Sequence, residues 1–220
     1  SASGVGNIAA FTATNTTNAA VTSSITVTPT YTYNSVSCIG STKTFTLTVN
    51  PKAAIANKTA STCSGTGFIV TPSNGTDIVP SGTTYAWSAL PVVTGGLTGG
   101  ATATGQSTIN GTLTNPTNIP QTATYTVTPT SGTCTGPTFT VVATINPKPV
   151  VPNQTATICS GGTFTTSPTN NAPTTIIPSN TTYTWTVAPN ANVTGESNEA
   201  VGQSSISQAL TNTTNIAQTA

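Results

Sequence analysis

Few residues in this sequence could carry chemistry. The chain of 220 residues has no histidine or arginine, and its acidic residues are Asp77, Glu196 and Glu199. A hydrolase needs a nucleophile beside a base, or two facing carboxylates. Asp77 is the one acid in the complete repeat, residues 51–147. The two glutamates belong to the following repeat and have no counterpart in the complete one, so we expect them to lie in a solvated loop. We therefore predict that the chain is not an enzyme and binds no metal ion or other cofactor.

Four cysteines remain, and they occupy two kinds of position. Cys63 and Cys159 follow the first predicted strand of a repeat, whereas Cys38 and Cys134 lie in the loop of its last hairpin. Zinc-ligand spacing is absent, so disulfides in an oxidising, extracellular setting are the better interpretation. Cys63 could bond Cys134 inside one repeat. Alternatively, if these two positions lie at opposite ends of a sandwich, each cysteine would bond a neighbouring repeat, with the partners of Cys38 and Cys159 outside this chain.

Composition and charge exclude several classes of protein. Charged residues make up 3% of the chain and the formal net charge is +1. Such a chain has no field that would attract nucleic acid or an anionic membrane, and no apolar run reaches membrane-spanning length. We expect neither nucleic acid binding nor membrane insertion. Abundant Thr and other β-branched residues predict an all-β protein.

The elements that would position the cysteines are strands. Apolar residues alternate with threonine over residues 122–148, on both sides of a Ser-Gly-Thr-Cys-Thr-Gly-Pro break, which predicts an antiparallel hairpin. An earlier copy of this hairpin occupies residues 25–52. A turn of the form Asn-x-Thr-Asn begins at Asn15 and returns at Asn115 and Asn212. Repetition is therefore the main feature of the sequence.

The repeats divide the chain into three units. Residues 1–50 form the back half of a repeat, residues 51–147 a complete one, and residues 148–220 the front part of a third. Short Asn-Pro-Lys junctions at Pro51 and Pro147 leave almost no linker, and proline stiffens each step. We expect immunoglobulin-like β-sandwich modules of about seven strands, stacked end to end. Because both chain ends fall inside a repeat, we also expect a longer exported parent chain.

The complete unit has four predicted strands before its hairpin. A glycine-rich segment between the third and the fourth is predicted to be a loop or an edge crossing. The predicted strands are Ala53–Thr62, Phe68–Pro72, Thr83–Ser88 and Ser107–Thr114, and the loop is Thr94–Gly100. Trp87 and Trp185 could stack on sugars, but a strand with Tyr and Trp on one face has to bury them, so core packing is favoured. The predicted core residues are Phe68, Tyr85, Trp87, Tyr125, Val127, Phe139, Val141, Ile145, Tyr183 and Trp185.

Several segments resemble a known repeat family. They are Tyr125-Thr-Val-Thr-Pro-Thr-Ser-Gly-Thr-Cys-Thr-Gly, Ile145-Asn-Pro-Lys-Pro, Thr155-Ala-Thr-Ile-Cys-Ser-Gly-Gly, Gly105-Gln-Ser-Thr-Ile and Pro178-Ser-Asn-Thr-Thr-Tyr-Thr-Trp. This wording resembles the tandem PKD-like, immunoglobulin-like repeats of very large Bacteroidota surface adhesins that act in gliding motility. The resemblance implies export by the type IX secretion system and a stalk at the cell surface. The Trp-Asp-Phe-Gly-Asp-Gly signature of better-known PKD domains is absent, since Trp87-Ser-Ala-Leu stands there, so properties of those acids are not carried over.

Three functions follow from this reading. The first is a structural stalk segment of an adhesin, whose partners are neighbouring repeats and, at the far end, an extracellular surface or polysaccharide. The second is a filament subunit, in which residues 148–220 of one chain and residues 1–50 of the next complete a module. The third is a carbohydrate-binding module that uses exposed aromatic residues or the Thr94–Gly100 loop.

Overall fold

The structure, a computed structural model, describes residues 8, 10–88 and 92–219. Ala89 and Leu90 of the altered signature lie outside these residues. Strands make up all of the regular secondary structure in the described ranges, so the predicted all-β class is confirmed. No helix in that part of the chain could span a bilayer.

The accessible surface shows that the chain is not one compact globule. It measures 14054 Å² for a mass of 21.9 kDa, whereas a compact monomer of this mass exposes about 9,300 Å². Most of the fully buried hydrophobic residues lie between Ala53 and Ile145. No sheet among the described residues joins strands from both sides of Pro51 or of Pro147.

The first unit is an isolated antiparallel hairpin with an extended tip. Its strands are β1 (Val21–Val27), β2 (Thr30–Tyr33), β3 (Val36–Ile39) and β4 (Lys43–Val49), in which β1 pairs with β4 and β2 with β3. The turn residues Asn34 and Ser35 have φ values of 43° and 62°. Two successive positive φ values match the twist of a tight hairpin, and Asn tolerates this conformation better than most residues.

The second unit is a sandwich of two sheets. Its strands are β5 (Lys58–Cys63), β6 (Gly67–Val70), β7 (Thr84–Trp87), β8 (Val92–Val93), β9 (Thr98–Gly99), β10 (Ala103–Gln106), β11 (Ile109–Thr114), β12 (Gln121–Ser131), β13 (Cys134–Thr135) and β14 (Phe139–Asn146). The larger sheet has the order β10-β7-β12-β14-β5, with β8 and β13 also paired to β12. The smaller sheet has the order β6-β11-β9.

The β12–β14 hairpin is the centre of the larger sheet. Its register pairs Tyr125 with Val141 and Val127 with Phe139, and the side chains of all four are buried. The alternating threonines are partly or fully exposed on the opposite face. The period-two pattern in the sequence thus corresponds to one buried face and one wetter face.

The first predicted strand of this unit needs a correction. The sequence predicts one strand over Ala53–Thr62, but the chain makes a single bridge between Ala54 and Ile78 and only then enters β5, which runs parallel to β14. Between these points the backbone N–H of Ala56 donates to the side chain of Asp77 instead of to a neighbouring strand. A contact this distant in sequence leaves no local signal.

The third unit repeats the early strands of the second. They are β15 (Thr163–Thr166), β16 (Tyr183–Trp185), β17 (Val193–Thr194), β18 (Glu199–Gln203), β19 (Ile206–Ala209) and β20 (Thr211–Asn212), which pair as β15–β19, β16–β18 and β17–β20. The described residues of this unit contain no counterpart of the β12–β14 hairpin. Tyr183 and Trp185 are therefore half-buried, whereas Tyr85 and Trp87 are 2% and 5% exposed.

We expect Leu113→Ala to destabilise the second unit by about 3 kcal/mol, because its buried side chain would leave a cavity. Urea unfolding in a Trp185→Phe background checks this, since Trp87 then reports the second unit alone. The matched control is Leu210→Ala, at the equivalent but half-buried position of the third unit, read through Trp185 in a Trp87→Phe background. Equal losses for the two variants would contradict the account.

Candidate functional site

A buried asparagine joins distant parts of the second unit. Asn115 is 1% exposed. Its side-chain N–H groups donate to the carbonyl oxygens of Ile119 and Ile145 at 2.8 Å each. Its Oδ1 accepts from the backbone N–H of Thr117 at 2.9 Å and from the Thr117 hydroxyl at 2.8 Å. All hydrogen-bonding capacity of the amide is used, so its burial carries no unsatisfied-group penalty.

A serine in the first turn completes this network. The hydroxyl of Ser64 accepts the backbone N–H of Asn115 at 2.9 Å, and the backbone N–H of Ser64 donates to Asn146 at 2.8 Å. The next residue, Gly65, donates its N–H to Leu113 and has a φ of 79°, which favours glycine. The first turn, the turn after β11 and the end of β14 are thus bonded together. We call this set the asparagine network: Ser64, Asn115, Thr117, Ile119 and Ile145.

The same network recurs in the other units. In the first, Asn15 donates to the carbonyl oxygens of Ala19 and Val49 at 2.8 Å each. In the third, Asn212 donates to Ile216 at 2.7 Å, and Ser160 accepts its backbone N–H at 3.0 Å. Each partial unit therefore forms those hydrogen bonds of the network for which it contains both the donor and the acceptor.

The sequence carried a signal for this network, but its role was missed. The recurrence of Asn-x-Thr-Asn predicts a turn, and Cys-Ser-Gly after the first strand marks another. Neither motif shows that the two turns bond each other, because they are 51 residues apart. Ser64 and Asn115 are 51 residues apart, and Ser160 and Asn212 are 52 apart. This nearly constant spacing is the signal that could have found the network.

Asp77 and Lys58 form the one ion pair among the described residues. Their Oδ2 and Nζ atoms are 2.6 Å apart, and the side chain of Asp77 is 2% exposed. Burial alone would raise the pKa of Asp77, but the hydrogen bonds from Lys58 and from the backbone N–H of Ala56 outweigh it, so the pKa is lowered from its ordinary value. The carboxylate is held ionised as a structural anchor for the chain before β5.

The other two acids do not join Asp77. Glu196 accepts the backbone N–H of Asn190 at 2.9 Å, and Glu199 accepts that of Val201 at 2.8 Å, both in the third unit. No group of three or more His, Cys, Asp or Glu residues within the described ranges could hold a metal ion.

The predicted core aromatic residues of the second unit are packed between its sheets. Phe68 and Tyr125 have ring centroids 5.6 Å apart, and Tyr85 meets Phe139 edge-on at 6.3 Å. The indole N–H of Trp87 donates to the carbonyl oxygen of Ala101 at 3.0 Å. These rings are therefore not available as a flat platform for a sugar.

An open cleft of about 580 Å³ lies where the two sheets diverge. Its apolar walls include Phe68, Trp87, Gly100 and Gly111. A Cβ at Gly111 would lie 3.1 Å from the hydroxyl of Tyr125, and one at Gly100 would lie 3.2 Å from it. That hydroxyl is buried with no hydrogen-bond partner in the described structure, and burial raises its pKa. The two glycines make room for it.

The cysteine pairing inside one repeat needs a correction. All four cysteines have free thiols, and three of them are exposed. Cys63 pairs with Asn146 at the end of β14, whereas Cys134 lies before β14 begins. The seven steps from Phe139 to Asn146 along β14, about 23 Å at ~3.3 Å per step, separate the two positions. A disulfide needs Cα atoms within about 7 Å. The fold excludes a direct bond between Cys63 and Cys134.

Comparison with known proteins finds one family. The model of a PKD-like domain matches residues 58–149 and again residues 156–220, which together cover more than half of the chain. No curated protein matches the chain, and no solved structure does.

We expect Asn115→Ala to destabilise the second unit by about 3–5 kcal/mol, because four hydrogen bonds are lost and buried carbonyl groups stay unpaired. Chemical unfolding followed by Trp87 fluorescence measures it. The control is Asn212→Ala, which removes fewer bonds at a half-buried site and should cost the third unit about 1–2 kcal/mol. A neutral Asn115→Ala would show that the network does not hold the fold.

The ion pair predicts a pH dependence. Since the folded pKa of Asp77 lies below its ordinary value of 3.8, its stabilisation is fully present above that value and is lost as the pH falls through the lowered one. Stability curves should show wild type above Asp77→Asn at neutral pH and the two converging in strong acid. Glu199→Gln changes a half-buried acid of the third unit. It should leave the unfolding of the second unit, followed by Trp87 in a Trp185→Phe background, unchanged. A constant gap between wild type and Asp77→Asn would contradict the assignment.

Proposed function

The chain belongs to the PKD-like domain family, and from this premise we propose that it is a structural segment of a long exported surface protein. Domains of this family are typically extracellular and non-catalytic. The repeated sandwiches would supply reach and mechanical stability, while recognition lies elsewhere in the parent protein. Neighbouring repeats of the same chain are then its main partners.

The observation that carries this proposal is the pairing of β5 with β14. These two strands lie nearest the entry and exit of the second unit, and they run parallel over six residue pairs, from Lys58–Val141 to Cys63–Asn146. Tension between the chain ends would pull the two strands in opposite directions along their length. All hydrogen bonds of the ladder would then be loaded together instead of one after another. Such an arrangement resists force.

Two further features support a load-bearing role. The backbone N–H of Ser64 donates to the carbonyl oxygen of Asn146, beside the last pair of the ladder. The side-chain amide of Asn115 donates to the carbonyl oxygen of Ile145. Asp77 holds Lys58 at the other end of β5. Both ends of the ladder are therefore fixed to the rest of the unit.

The finer assignment rests on the sequence resemblance. We propose a stalk of a cell-surface adhesin of the gliding-motility kind, exported by type IX secretion. The low charge of the chain fits this setting, because hydroxyl and amide groups hydrate its surface in place of charges. The far end of such a stalk would contact an extracellular surface or a polysaccharide.

A second candidate, the head-to-tail filament, is favoured by one observation. The inner face of the first hairpin is uncovered, with Phe45 58% and Val21 41% exposed, and the third unit is open where such a hairpin would lie. The hairpin of one chain could thus add its strands to the third unit of another.

In its described residues, the second unit does not offer the exposed aromatic residues that a carbohydrate-binding module would need. Trp87 and Tyr85 are buried, and the Thr94–Gly100 loop contains the short strand β9. Exposed aromatic residues do occur on the tip of the first hairpin, where Tyr31 and Tyr33 are 67% and 65% exposed. Their position at the tip of the hairpin favours contact with a neighbouring repeat.

X-ray scattering tests the stalk and the filament together. A rod of units about 40 Å long each gives a radius of gyration near 30 Å, whereas a compact chain of this length gives about 17 Å. The stalk predicts the larger value at every concentration. A value near 17 Å would contradict it, and a radius that grows with concentration would favour the filament.

Single-molecule stretching tests the load-bearing ladder. Thr62→Pro in β5 should lower the unfolding force of the second unit sharply. The N–H of Thr62 faces β14, like that of Ser64 two residues later, which donates to Asn146, and proline removes this donor from the loaded ladder. The matched control is Val70→Pro in β6, which removes a donor to β11, outside the ladder of β5 and β14. We expect it to lower equilibrium stability while reducing the force much less. Equal reductions in force would show that β5 and β14 do not bear the load.

A further inference from the structure

We propose that the cysteines of these repeats form disulfides across the junctions between repeats. The cysteine of the first turn in one repeat, such as Cys63, bonds the cysteine of the hairpin tip in the following repeat. The proposal rests on the proposed function in one respect, since it needs an exported, oxidising setting.

Cys63 lies at the exit end of the second unit. It is exposed and pairs with Asn146, one residue before the junction proline Pro147. Cys159 has the equivalent position in the third unit, because the residue after each cysteine is the serine that binds the buried or half-buried asparagine. The thiol is thus fixed at the end of the unit where the chain leaves it.

The hairpin tip lies at the entry end of the second unit. Cys134 lies in β13, and two residues later Gly136 packs so closely on the chain that a Cβ there would overlap the carbonyl oxygen of Ala53. Ala53 is two residues after Pro51, so the tip sits at the end of the unit where the chain enters. Pro149 is the equivalent of Ala53 in the third unit, three residues from Asn146. Three residues span at most about 11 Å, so the next tip would sit at the junction that Cys63 borders.

The tip of the first hairpin carries an apolar face around its cysteine. Direct pairs in an antiparallel ladder share one face, and here Tyr31 pairs with Cys38 and Tyr33 with Val36. All four residues are exposed. At the other end of a unit, Ile119 is 58% exposed in the turn that the asparagine network bonds to the first turn, which contains Cys63. Contact between the apolar hairpin tip of one repeat and the exposed Ile119 position of the preceding repeat would bring the two thiols together.

The bond itself is an ordinary thiol oxidation. The two Sγ atoms join, the two S–H bonds break, and two electrons and two protons pass to oxidised glutathione, which becomes two molecules of the reduced form. No other reactant is needed.

The test uses an extended chain in which a hairpin completes the third unit. Residues 22–50 are repeated directly after Gln218, because Val21 and Gln218 have equivalent positions. The first hairpin suits the third unit, since it has Ile25 where the second unit has Tyr125. The smaller Ile25 leaves room for Glu196 and Gln208, which stand where the second unit has the glycines beside Tyr125.

In a glutathione redox buffer, we expect this chain to form one disulfide, between Cys63 and the second copy of Cys38. Peptide mapping by mass spectrometry identifies the bond, and intact mass shows the loss of two hydrogen atoms. Cys63→Ser should abolish it, whereas Cys159→Ser, which changes the equivalent cysteine at the far end of the third unit, should not. The native Cys38 has the same sequence around it and should stay reduced.

A bond between Cys63 and Cys134, or a completed third unit with Cys63 still reduced, would overturn the proposal. Completion is read from a blue shift of Trp185 fluorescence in a Trp87→Phe background. If Trp185 does not shift, residues 122–146 are appended instead, with Glu196→Gly and Gln208→Gly to match the second unit, and absence of the bond there also overturns the proposal. Scattering from the chain without the extension is independent of these thiols, so failure of the stalk proposal is recognised separately.

Discussion

The side-chain amide of Asn115 connects parts of the second unit that are far apart in sequence. It holds the turn after β11 to the last strand through Ile119 and Ile145, and Ser64 holds the same turn to the start of the unit. The hydrophobic core gives most of the free energy of such a sandwich but does not by itself fix the order in which strands meet. A fully satisfied buried amide does, because any other register would leave several polar groups unpaired. The recurrence at Asn15 and Asn212 shows that each unit uses the same solution.

This solution suits a chain that has almost no charge. Only one ion pair stabilises the described residues, and it fixes the approach to β5 rather than the surface. Threonine hydroxyls and asparagine amides instead supply both the hydration of the exterior and the fixed contacts of the turns. A low-charge strand-rich chain risks association through exposed edges, and the outer sides of β1 and β4 in the first unit are such edges.

The sequence predicts some of these features well and others not at all. Period-two alternation in residues 122–148 is a local property, so it locates the hairpin and its buried face directly. The split of the first strand involves Asp77, which is distant in sequence, and the opposite placement of Cys63 and Cys134 depends on the parallel direction of β5 and β14. The asparagine network was visible only as recurring turn motifs. Side-chain bonds between two turns have no period, and this is why sequence patterns miss them.

Native-state hydrogen exchange measures whether the asparagine network opens separately from the strands. If the network holds the fold together, Ser64, Asn115 and Thr117 open only when the whole second unit unfolds. The backbone amides of these residues and the side-chain amide of Asn115 should then exchange as slowly as the centre of the β12–β14 ladder, with the same dependence on denaturant. Rapid exchange at these turns while the ladder stays protected would contradict the account, because the fold would then persist without the network.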